Sequence, residues 1–152
     1  MPRAFHILCA LAVVSAYGAG RASSRQQTAS WLNSKILECK CVTNWEWQLH
    51  DLHLSGDMDI SEPSFFISSD DDLVVTANVS EHLLQNTSRD AIRNELLARL
   101  KRDIHILPTV LWTKISDDEL LDKHVLAIWT TSQGNNYAQL KHGKFSFQWD
   151  DK

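Results

Sequence analysis

Residues 58–80 read MDISEPSFFISSDDDLVVTANVS, two strand-like runs on either side of an acidic turn. Phe65, Phe66 and Ile67 close the first run, and Leu73, Val74, Val75 and Thr76 open the second. Aromatic and β-branched residues of this kind suit a pleated, half-buried surface. Between them, residues 69–72 (SDDD) are short polar turn formers. Pro63 has no N–H for a ladder, so the first run is expected at a sheet edge or a bulge. Ser55-Gly56-Asp57 makes another turn just upstream. Two short turns in succession predict a meander, and a meander predicts an antiparallel sheet.

Upstream, Leu37 to Leu49 alternates with a period of two. The odd positions are Leu, Cys, Cys, Thr, Trp, Trp, Leu, and the even ones are polar apart from Val42. That pattern predicts a strand with Cys39, Cys41, Trp45 and Trp47 on one face. Before it, Trp31, Leu32 and Ile36 recur at helical spacing behind Thr28 and Ser30 as caps, which predicts a short helix. Residues 21–30 (RASSRQQTAS) are small and polar and read as a flexible lead.

Downstream, the spacing of Ile92, Leu96, Leu97, Leu100 and Ile104 predicts a long amphipathic helix, capped by Thr87 with Asp90 three residues on. Arg93, Glu95, Arg99 and Lys101 fall on its solvent side, with Glu95 and Arg99 paired at i, i+4. Pro108 is expected to stop it by about Ile106. Residues 109–115 (TVLWTKI) then read as a strand, Ser116 and Glu119 as a capping box opening a single turn, and 125–131 (VLAIWTT) as a further strand. A weak strand at 137–141 and a last one at 144–149 follow, bounded by turns at 133–136 and 142–144. The expectation is one α+β domain over residues 31–152, with the long helix across one face of an antiparallel sheet.

The first 20 residues carry Arg3, an apolar run of 11 residues from Ala4 to Val14 interrupted only by His6, and then small residues at Ala16, Gly18, Ala19 and Gly20. A bilayer span needs about 20 apolar residues, so the run reads as a secretory signal and the chain as secreted, with no membrane span. Its removal takes away one base and no acid, moving the formal net charge from −4 to −5. An acidic chain is a poor partner for nucleic acid or anionic membranes. The remaining length of about 130 residues suffices for one self-supporting core. Two sequons, Asn78-Val-Ser80 and Asn86-Thr-Ser88, would accept N-glycans in a eukaryotic secretory route.

Beyond the leader only Cys39 and Cys41 remain. Residues i and i+2 of a strand lie about 6.5–7 Å apart with parallel side chains, a poor geometry for an internal disulfide. Buried thiols, bonds to another chain (a disulfide-linked homodimer or structural subunit), a strained reducible bond and a metal or catalytic thiol site all stay open, the last disfavoured by the lack of further soft ligands. Trp45 and Trp47 read either as core or as an aromatic contact face. His50, His53, Asp57 and Asp59 surround the first turn, but a strand puts i and i+3 on opposite faces, and the calcium-loop likeness of 57–61 fails at Glu62 and Ser68. No metal or cofactor is expected. Glu46 and His50 share a polar strand face and would serve a secreted hydrolase, in the manner of a metal-free ribonuclease, with His124, His142 or Arg102 completing the site. Motifs for nucleophilic, zinc or nucleotide chemistry are absent. The favoured reading is a secreted, non-enzymatic interaction module directed at an extracellular protein or glycan, on the same or another organism.

Overall fold

A computed structural model describes residues 29–36, 49, 52–111 and 113–148. Helix α1 spans Ser30–Lys35, and strands β1 (Ser64–Ile67) and β2 (Leu73–Val79) form the first hairpin. Helices α2 (Glu81–Asn86), α3 (Arg89–Val110) and α4 (Asp117–Lys123) follow, then β3 (Val125–Thr131), β4 (Asn136–Lys141) and β5 (Lys144–Phe147). The five strands make one sheet in the order β1-β2-β3-β4-β5.

That sheet is mixed, which corrects the antiparallel expectation. β1 with β2, β3 with β4 and β4 with β5 are antiparallel, but β2 and β3 run parallel, with Leu73 opposite Val125 and Val79 opposite Thr131. The reason lies in the connection: parallel neighbours need a long crossover, and here it contains all of α2, α3 and α4. Between Trp129 and Thr130 the β3–β4 register shifts, leaving Tyr137 as the extra residue between Asn136 and Ala138, a β-bulge.

One face of the sheet carries Phe65, Leu73, Val75, Val79, Val125, Ala127, Trp129, Ala138, Leu140 and Phe147. These share a single buried cluster with Ile92, Leu96, Leu100, Ile104 and Leu107 of α3. Each such leucine or isoleucine contributes about 1.5–3 kcal/mol by leaving water. The helical stripe read from the sequence is thus the buried one, with Leu97 at its margin half-buried. Over β4 and β5 the packing is aromatic: Phe145 meets Phe147 edge-on at 5.1 Å, and the Arg89 guanidinium lies 4.3 Å from the Phe147 ring centre.

Several local expectations change. α3 is capped by Ser88, whose hydroxyl accepts from the Ala91 amide, rather than by Thr87. It runs through Pro108 to Val110, because Leu107 and Leu111 are buried and their burial outweighs the one hydrogen bond proline forfeits. The strand expected at 109–115 is therefore replaced by helix at its start, and among the described residues of that segment only Thr113 makes an isolated bridge, to Ile36. The strand expected over 58–68 shrinks to β1, with Ile60 bridging Val79 beyond Pro63. Ser80 caps α2, a helix not foreseen, and the Ser116 box opens two turns rather than one. The short α1 forms as expected, but Ser30 bonds Asp71 instead of capping it.

Candidate functional site

α3, α4 and the β4–β5 hairpin meet along one margin of the core. A groove of about 400 Å³ lies there, floored by Leu97, Leu121, Leu140 and Phe145. Arg93, Leu97 and Lys101 stand at i, i+4 and i+8, so they form one line along α3. Asp118 and Asp122 stand at i, i+4 on α4, which packs against α3 through the His105–Asp117 contact of 2.6 Å. One wall is therefore basic and the other acidic. Lys101, Asp118 and Asp122 make no ion pair among the described residues, and Arg93 is 5.7 Å from the Phe145 ring. Asp122 also closes on Gly143, where an added Cβ would lie 2.7 Å from its Oδ1. Gly143 has φ +80°, and so supplies both the turn between β4 and β5 and the room for that carboxylate.

Next to Gly143 in sequence, His142 belongs to a separate cluster of histidines and acids. His142 Nε2 sits 2.7 Å from Oδ1 of Asp72, a buried carboxylate. The strand register carries His142 next to Val125, whose carbonyl accepts from the His142 amide. His124 stacks on Trp31 with ring centres 4.2 Å apart, and the Trp31 indole donates to the Asp71 carbonyl at 2.6 Å. Burial holds His124 below the ordinary histidine range; Lys123 acts the same way, while Glu119, Asp71 and Asp72 oppose it. A half-exposed imidazole oriented by a buried carboxylate has the form of a general base, whereas burial disfavours the charged form of stacked His124.

No protein family, curated protein or solved structure matches this chain.

The residues singled out from the sequence fall in three groups. Cys39, Cys41, Trp45, Trp47, Glu46 and His50 lie outside the described residues. Asn78 and Asn86 are both exposed, the first on β2 where its side-chain oxygen accepts from the Thr130 hydroxyl, the second at the end of α2 where its amide donates to the His82 carbonyl. The first-turn residues have separate structural partners: His53 with Glu62, Asp57 with Arg99, and Asp59 with Ser80 and His82. His124 and His142 come together around Asp72; Arg102 instead lies on the opposite flank of α3, against the 55–63 loop. Sequence reasoning passed over the groove walls as solvated surface. One signal was there: Asp118 and Asp122 stand at i, i+4 and so share one face of a short helix, a like-charge pair.

Proposed function

We propose that the chain is a secreted, non-enzymatic binding protein, and that the groove between α3, α4 and the β4–β5 hairpin is its recognition surface. The groove's form carries this reading: an apolar floor in a cleft of ligand-binding size, bordered by Lys101, Asp118 and Asp122, which make no ion pair among the described residues. Secretion rests on the leader-like first 20 residues, and the exposure of both sequon asparagines is compatible with glycans. Expression in a eukaryotic secretory host tests this part. Chain in the medium, shortened at its N-terminus and shifted by glycosidase, is expected; retention of the intact chain in the cytosol would defeat it. For the groove, Leu121→Arg places a charged side chain on the apolar floor and should abolish binding to whatever extracellular component the wild type retains. Undiminished binding would move the recognition surface elsewhere.

A second reading, a hydrolase, draws support from the Asp72–His142 pair. In that case His142 acts as a general base, with Glu46 and His50 as the further acid and base expected from the sequence. His142→Gln should then remove hydrolysis of RNA or simple esters by at least 100-fold. The absence of any hydrolysis by the wild type ends this reading.

A further inference from the structure

We infer that the groove takes a peptide segment of an extracellular partner, one that presents an acidic side chain to Arg93 and Lys101, a basic side chain to Asp118 and Asp122, and an apolar side chain to the floor between them. This rests on the groove being the recognition surface. Three observations select the occupant.

The walls carry opposite charge, so a ligand of one sign would be repelled by one of them. Asp118 and Asp122 on one wall and Lys101 on the other make no ion pair among the described residues, so their charges are available to a ligand. Finally, the basic wall is long. Eight residues of α-helix separate Arg93 from Lys101, a rise of about 12 Å. About four residues of extended chain, at roughly 3.3 Å each, match that length, so a peptide can lie along the whole wall while its acidic side chain sits between the two cations. The floor of Leu97, Leu121, Leu140 and Phe145 supplies what a peptide's apolar anchor needs, and charges around such a floor fix register and orientation.

The test is selection of a random 12-residue peptide display library on the full chain, followed by synthesis of the enriched peptides with a fluorescein label. Enriched peptides should combine an apolar anchor with both an acidic and a basic residue. Binding measured by fluorescence polarisation should fall at least tenfold in the double variant Asp118→Lys/Asp122→Lys. It should be restored when the peptide's basic residue is changed to glutamate. The reciprocal variant Arg93→Glu/Lys101→Glu should be rescued by replacing the peptide's acidic residue with lysine. All four side chains are exposed, so these variants keep the fold, which circular dichroism checks. Enrichment of peptides of one sign, or loss without rescue, overturns the assignment. If such peptides are still displaced by Leu121→Arg, the groove remains the binding surface and only the paired-charge occupant fails; if nothing is enriched, both fail.

Discussion

Asp57 accepts hydrogen bonds from the Arg99 guanidinium and from the amides of Ile60 and Asp59, and together these hold its carboxyl at about 2. A folded-state value below the unfolded one means that the stabilisation is complete above pH 3.8 and is lost as pH falls from there through about 2. Denaturant titrations between pH 5 and pH 2 should therefore show a steepening loss of stability that Asp57→Asn removes; an unchanged acid limb in the variant would assign that loss to other groups. Asp103 has the opposite sign. It is 6 % exposed, and burial pushes its carboxyl up while Arg102 and Arg99 offset part of the effect. The folded chain holds this proton more firmly than the unfolded chain, so the ionised form costs stability at neutral pH and the cost disappears in acid. Asp103→Asn should raise Tm at pH 7 by about 2–5 °C and by less at pH 3. A lower Tm at pH 7 would mean that Arg102 and Arg99 stabilise the charge by more than burial costs it. The turn around Gly56 was legible from its residue types, but the partner of Asp57 lies 42 residues away and leaves no local mark. Gly56 itself is required for packing: an added Cβ would stand 2.1 Å from the Glu62 amide nitrogen.

The apolar period of α3 was sufficient to name the residues it buries. Leu96→Ala removes a fully buried side chain and should cost about 2–5 kcal/mol. Leu97→Ala, half-buried at the groove, should cost about 1 kcal/mol and act instead on binding. Chemical denaturation compares the two, and equal losses would put Leu97 in the core. The end of the helix was not legible. Residues 109–115 have strand-like composition and follow a proline, and both local rules yield to the burial of Leu107 and Leu111. α2 escaped notice because it is too short to show a stripe; only Leu83 and Leu84 reach the core, each half-buried. Conversely, the strand readings at 125–131, 137–141 and 144–149 found β3, β4 and β5 to within a residue or two among the described residues, since each strand has one face in the core and one outside.

For the molecule as a whole, strand composition and turns identified an α+β chain, whereas the direction of one pairing escaped. Alternation reports which face a strand buries and carries no information about which neighbour it adopts. The groove was hidden for a related reason: its walls come from α3 and α4, its floor also from β4 and β5, and only the assembled layers bring them together. The central β2–β3 seam joins residues 52 apart, with Asn78 beside Thr130. A chain emerging from the ribosome at about 5–20 residues per second leaves the finished first hairpin without its neighbour for roughly 3–10 s. During that wait β2 offers Val74 and Val75 on an unsatisfied margin, the kind of surface that recruits copies of itself. Fragments stopped at residue 116 should accordingly sediment or stay bound to chaperones, while fragments reaching residue 148 should remain dispersed. A monomeric, sheet-rich 1–116 fragment would show that the early half has another way to shield itself.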